Sequence, residues 1–135
     1  LTYGQLFTVM PFQNQAVTVT LTGKQLREVA EASITAGGPD AHVSGMRISY
    51  DLSRPAGQRV REIRLANGKK PKDTGRYTLA VNSFLAAGQS GYTMLRAAPQ
   101  VPDGMSDIEV MELYLCRLPR PVQPPEDVRF VPVGK

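Results

Sequence analysis

Residues 15–25 read QAVTVTLTGKQ, and the hydrophobic period changes inside them. Val17, Val19 and Leu21 alternate with Ala16, Thr18 and Thr20, which is the pattern of a half-buried strand. Thr22, followed three residues later by Gln25, forms a capping box that opens a helix. Leu26, Val29, Ala30 and Ile34 share one face of that helix, and Gly37 and Gly38 are expected to stop it, with Pro39 beyond. A strand therefore runs into a helix with no loop between them.

Around this unit the remaining pattern is mixed. Thr2 caps a short N-terminal helix with Leu6, Val9 and Met10 at helical spacing, closed by Pro11. Alternating runs predict strands over residues 14–22, 44–52, 59–66 and 76–83, with residues 128–133 as a short edge strand. Asn67-Gly68 is a hairpin-type turn, and YTMLRAA reads as one helical turn. Ser106 and Glu109 make a second capping box, opening a helix with Ile108, Met111, Leu115 and Leu118 inward and Pro119 at its end. This order lacks the strict alternation of a parallel βαβ sheet. The expected fold is α+β in a single domain: a mixed or antiparallel sheet, two main helices and the short N-terminal helix. Residues 1–118 form the folded body, and the Pro-rich residues 119–135 extend from it, packing on or closing it.

The chain's 135 residues, 41% hydrophobic and 21% charged, are ordinary globular composition. No 18-residue apolar run is present, so no membrane-inserted helix is expected. Leu1 follows no initiator methionine and no charged-then-apolar leader, and reads as a cut made by processing or by a boundary chosen for expression. The net charge is +4, and eight cations (Arg54, Arg59, Arg61, Arg64, Lys69, Lys70, Lys72 and Arg76) crowd one segment against Glu62 and Asp73. A nucleic-acid surface has this charge. So does the solvated face of an edge hairpin, where Lys and Arg block strand addition. No aromatic interleaves these cations to stack single-stranded bases, which disfavours a nucleic-acid partner.

Catalytic groups are few. With His42 as the one histidine, no two-histidine metal site can be assembled. The one cysteine, Cys116, lies in an apolar helical pattern and is expected to be a buried, inert thiol. Lys24 has neither the upstream glycine nor the following Ser/Thr of a P-loop, and Gly88-Gln89-Ser90-Gly91 has no lysine. No catalytic residue and no metal ligand is assigned, and the isolated chain is expected to be inert. Two phenylalanines stand apart from every alternating core face: Phe12, before the first strand, and Phe84, after the run ending near residue 83. Residues at such junctions plug strand ends or wall a pocket. Two aromatic faces with a gap between them can sandwich a planar base.

LTYGQLFTVMPFQNQAVTVTLTGKQLREVAE, VSGMRISYDLSRPAGQRV and YTLAVNSFLAAGQSGY together resemble the C-terminal domain of the 5′-nucleotidase and UDP-sugar hydrolase family of metallophosphatases. The resemblance runs through nearly the whole chain in order, leaving out the Pro-rich tail. It implies a nucleoside-recognition domain of a two-metal phosphoesterase, with both divalent metals and the catalytic groups in a separate N-terminal domain of the same polypeptide. No cofactor is implied in this chain. The implied base clamp is Phe12 with Phe84, Asn14 and Gly45 contact the base edge, and Ser90 occupies the sugar-contacting position. The family carries an Asp there, and a serine hydroxyl makes neutral hydrogen bonds in place of a charged bidentate grip. The family's Asn-Gly-Gly-x-x-Arg segment is not in this sequence. A role in nucleotide catabolism at a periplasmic, secreted or cell-surface location is likewise implied by the resemblance. Two alternatives remain: the same fold serving another phosphoester or a partner surface, and a basic module binding anions or nucleic acid through residues 54–76.

Overall fold

The computed structural model describes residues 2–134. In chain order its elements are α1 (Tyr3–Val9), β1 (Gln15–Thr22), α2 (Gly23–Ala32), β2 (Ile34–Thr35), β3 (Gly38–Pro39), β4 (Met46–Tyr50) and β5 (Val60–Leu65). There follow β6 (Arg76–Asn82), α3 (Ser83–Ala86), α4 (Thr93–Arg96), β7 (Gln100–Ser106), α5 (Asp107–Arg117) and β8 (Phe130–Pro132). The α+β class holds, with one three-stranded sheet in the order β6-β1-β7, a second in the order β5-β4-β8, and the small β2-β3 hairpin. Backbone contacts gather into two compact units: residues up to Thr20 with Thr78–Pro125, and Leu21–Tyr77 with residues from Glu126 on.

In the first unit, α1 and α5 both open on capping boxes at the predicted caps. Thr2 Oγ1 accepts from Gln5 N and Ser106 Oγ from Glu109 N, while Gln5 and Glu109 side chains accept from the cap amides. β7 pairs antiparallel with β1, Thr18 opposite Val101 and Val19 opposite Gln100. Leu6, Val17, Val19, Ala86, Tyr92, Leu95 and Ile108 make the core. The Gln100 amide donates to Ala86 O at 2.9 Å and Leu95 O at 2.8 Å, satisfying carbonyls that the short helices α3 and α4 cannot pair internally.

The second unit is built on the start of α2. Thr22 Oγ1 accepts from Gln25 N at 3.2 Å and the Gln25 side chain accepts from Thr22 N at 2.9 Å. The two amides between them are taken by the loop before β6: Gly23 N donates to Gly75 O at 3.0 Å and Lys24 N to Asp73 O at 3.1 Å. All three leading amides of the helix are thereby paired. Gly23 is buried, and a Cβ there would lie 2.1 Å from Lys72 O, so only glycine admits this approach. Farther along, the Glu31 carboxylate accepts from Arg59 N (2.9 Å) and Val60 N (2.8 Å), holding the start of β5 against α2. Leu26, Val29, Ala30, Ile34, Met46, Ile48, Tyr50, Val60 and Ile63 are buried around them.

Four expectations are corrected. The strands predicted over residues 14–22, 44–52, 59–66 and 76–83 divide between two sheets, β1 with β6 in one and β4 with β5 in the other. β7 was not predicted, because Pro102, Gly104 and its mostly exposed side chains give no apolar alternation. α2 stops at Ala32, before Gly37, because Ser33 Oγ bonds back to Ala30 O at 2.7 Å and the β-branched Ile34 and Thr35 enter the β2-β3 hairpin. Cys116 is exposed, since α5 buries Ile108 fully and turns Leu113, Tyr114 and Cys116 outward. The tail supplies β8, which pairs parallel with β4 and sets Phe130 edge-to-face on Tyr50, with ring centroids 6.4 Å apart.

The Gly23 contact makes a direct prediction. Gly23→Ala must push the Lys72 carbonyl away or break the Gly75 and Asp73 bonds, so it should destabilise the chain by about 1–3 kcal/mol. Urea denaturation of the variant, read by far-UV circular dichroism, measures this.

Candidate functional site

The connection from α1 to β1 is short and sharply turned. Met10 N donates to Leu6 O and ends the helix, Pro11 and Phe12 form a turn, and Gln13 adopts φ +52° before Asn14 leads into the strand. That left-handed step is uncommon for a residue with a side chain. Phe12 stands 76% exposed. Asn14 is half-buried and tied to the first residue of α5: its Nδ2 donates to Asp107 Oδ2 at 3.4 Å, and its carbonyl accepts from Asp107 N at 2.8 Å.

The second aromatic lies just past β6. Asn82 caps α3, its Oδ1 accepting from Leu85 N at 2.9 Å. Phe84 is the second residue of that one-turn helix and is 49% exposed. Gly88 and Gly91 follow at φ +82° and +84°, with Ser90 between them at φ +53°. Tyr92 is buried and anchors the far side of this loop, and Ser90 is exposed near its tip. One hydrogen bond joins the two aromatic connections: Gln15 N, three residues after Phe12, donates to Ser83 Oγ, one residue before Phe84, at 3.1 Å.

Four predicted residues, Phe12, Asn14, Phe84 and Ser90, thus share one compact unit, and the connections carrying the two rings are bonded to each other. The rings themselves make no ring contact among the described residues. Gly45 belongs to the other unit, where it has φ +77°, accepts from Ala66 N at 2.8 Å and leaves open space where a Cβ would stand. Sequence reasoning missed Ser83 and Asp107, which position the candidate loops. Asp107 was visible only as the residue after the capping serine, and nothing in the sequence pattern signalled Ser83.

Electrostatics and cavities add detail. Among the described residues no group of three His, Cys, Asp or Glu side chains gathers as a metal site would require. The basic segment is partly consumed locally: Arg59 donates to Arg54 O and Ile34 O, Arg54 to Gln58 O, and Arg64 and Lys70 both pair with Glu62. Hydrogen bonds from Lys70 and then Arg64 hold the Glu62 carboxyl below its ordinary range, as Arg129 does for Asp127 and the Ser106 amide and hydroxyl for Glu109. A cleft of about 450 Å³ lies against Leu6, Leu115, Cys116, Pro121 and Val122, and none of the predicted site residues lines it. A second, of about 390 Å³, includes Gly45 in its wall.

The α+β scaffold matches the C-terminal domain of 5′-nucleotidases. A 5′-nucleotidase precursor from Thermus thermophilus superposes with a TM-score of 0.90 and 31% identity, covering all of this chain and 28% of that protein. The family model for the 5′-nucleotidase C-terminal domain matches residues 1–97, and the chain belongs to that family. Among curated relatives, the trifunctional nucleotide phosphoesterase protein YfkN of Bacillus subtilis is 33% identical over 96% of the chain. The endonuclease YhcR of the same organism is 30% identical over 90% of it. The chain spans 10% of the length of each of these two proteins.

The Gln15–Ser83 bond is the local link whose loss can be measured. Ser83→Ala should cost about 0.5–1.5 kcal/mol of stability, the worth of one hydrogen bond. It should also speed exchange of the Gln15 amide, as followed by NMR hydrogen exchange.

Proposed function

We propose that this chain is the substrate-recognition domain of a two-metal phosphoesterase of the 5′-nucleotidase type, binding the nucleoside part of a nucleotide. The observation that carries the reading is the pair of exposed rings, Phe12 and Phe84, on connections bonded to each other through Gln15 and Ser83. Exposed aromatic faces on pinned loops lose little freedom when a base slides between them. Asn14 offers an amide donor and acceptor to the base edge. Gly45 enters through the family motif, as a backbone position that a base can approach. Ser90 takes the sugar contact. The metal-activated water that attacks the phosphate ester belongs to a separate N-terminal metallophosphatase domain, which is also this chain's intramolecular partner. The proposed setting is periplasmic, secreted or at the cell surface, in nucleotide catabolism. No helix among the described residues is long and apolar enough to cross a membrane.

Titration with adenosine and AMP, watched through the phenylalanine ring signals by NMR, tests the clamp. Both rings should shift together, and Phe12→Ala or Phe84→Ala should each weaken binding by about 1–3 kcal/mol, the worth of one stacked base. Silence of both rings, or shifts confined to residues 54–76, would overturn it.

A second reading keeps the fold and relaxes the nucleoside specificity. Ser90 favours it: the residue is exposed, left-handed and neutral at the position where the resemblance places a carboxylate. Asp tolerates left-handed backbone better than Ser does, so Ser90→Asp should fold normally. If the domain reads a ribose, that variant should bind adenosine about tenfold more tightly, the gain from a charged hydrogen bond, and gain nothing for 2′,3′-dideoxyadenosine. Equal affinities for the two ligands, in both proteins, would favour the second reading.

A further inference from the structure

The exposed face of the β5-β4-β8 sheet carries an arrangement that charge alone should disfavour. Arg47 of β4 sits directly opposite Arg64 of β5 in the antiparallel register. On its other side β4 pairs parallel with β8, Ile48 beside Phe130, which sets Arg47 beside Arg129 one step earlier on both strands. Three guanidinium groups therefore cross the sheet in one row. Like charges directly opposite each other destabilise a ladder, so something must offset them.

The two flanking arginines have carboxylates. Arg64 pairs with Glu62, which Lys70 also holds. Arg129 grips Asp127 with two donors, at 2.7 and 3.1 Å, and donates to Val43 O at 2.8 Å. The central one forms no such bond: Arg47 is exposed and makes no hydrogen bond or ion pair among the described residues, and its charge only adds to the Arg129 hydrogen bond in holding the Asp127 carboxyl below its ordinary range. The row lines the cleft of about 390 Å³, which holds three guanidiniums against the single carboxylate of Asp127. Gly45 and Gly68, at φ +77° and +76°, also line it, with Ser44, Met46, Leu65 and Ala66, and the two glycines put no side chain over it. A concave site with surplus positive charge concentrates anions, and planar guanidinium forks match the paired oxygens of a tetrahedral oxyanion.

We propose that the Arg47–Arg64–Arg129 row is a binding site for a phosphate-type oxyanion, taken as free phosphate or as the terminal phosphoryl group of a small molecule. Arg47 supplies the fork at the centre, its donors not yet spent on a hydrogen bond among the described residues. Arg64 and Arg129, oriented by their carboxylates, supply charge on either side. The site lies within one compact unit and is built without either aromatic loop; it shares Gly45 with the proposed base contacts, but its phosphate affinity is read from arginines that the nucleoside reading does not use.

The experiment titrates the chain with inorganic phosphate, with glycerol phosphate and, at matched ionic strength, with chloride, following arginine Nε–Hε signals by NMR. Phosphate should shift Arg47, Arg64 and Arg129 where chloride does not. Comparable binding of glycerol phosphate assigns recognition to a terminal phosphoryl group, and its exclusion assigns it to the free ion. Arg47→Gln should weaken phosphate binding by about tenfold or more, the loss of one charge-assisted interaction. The same variant should melt higher than wild type without phosphate, because the opposed charges are relieved, and gain less from added phosphate. Arg47→Lys, which keeps the charge and loses the fork, should fall between the two. Unchanged phosphate affinity in Arg47→Gln, or a wild-type response that chloride reproduces, would overturn the proposal.

Discussion

The seating of the loop at residues 72–75 on the first turn of α2 is the constraint on which the second unit depends. A strand that becomes a helix without a loop has no spare residues to hide its leading amides. Here the amides of Gly23 and Lys24 are met by carbonyls from a segment some fifty residues later in the chain (75 − 23 = 52), and that of Gln25 by the Thr22 side chain. The arrangement requires carbonyl oxygens to come within van der Waals reach of a Cα, which is why glycine stands there. At the other end of the helix, Glu31 reaches the start of β5 and Arg59 reaches back to the Ile34 carbonyl, so β5 is held at the C-terminal end of α2 as the 72–75 loop is held at its start.

The first unit uses its strands differently. Its aromatic candidates sit where β1 begins and just past the end of β6, on connections too short to wander. Gln13 and Ser90, the two non-glycine residues with positive φ among those described, both fall in these connections. Each such conformation costs on the order of 1–3 kcal/mol, and the surrounding bonds must hold it. Asp107 on Asn14 and Ser83 on Gln15 do so at the first connection, and the buried Tyr92 anchors the second. The rigidity of the candidate site therefore comes from polar pins between loops, while the apolar core lies beneath.

What the sequence made legible follows the same division. The helix caps at Thr2, Thr22 and Ser106 and the alternations of β1 and β4 could be read because each depends on residues close together in the chain. The lengths and groupings of the strands could not. β7 has a proline, a left-handed glycine and little apolar surface, and it is a strand only because β1 offers a partner. α2 is cut short by one serine bonding back to its own helix, a competition that periodicity does not register. The outward turn of Cys116 had the same origin, since an apolar run on α5 is wider than the face the core can cover. At the site, Phe12 and Phe84 declared themselves by falling outside every alternating face, whereas Ser83 and Asp107 act through contacts 68 and 93 residues distant in sequence.

The pairing of β8 with β4 also determines how the sheet ends. Ile48 N takes the Arg129 carbonyl and the Tyr50 carbonyl takes Val133 N, so Arg129, Val131 and Val133 turn their backbone groups toward β4. Phe130 and Pro132 turn theirs outward, and proline has no N–H to offer. A foreign strand approaching this side meets one amide donor across three residues. The tail thus acts as a terminator in the sense used for growing polymers: it occupies the reactive edge of β4 and presents a new edge too poor in donors to be extended.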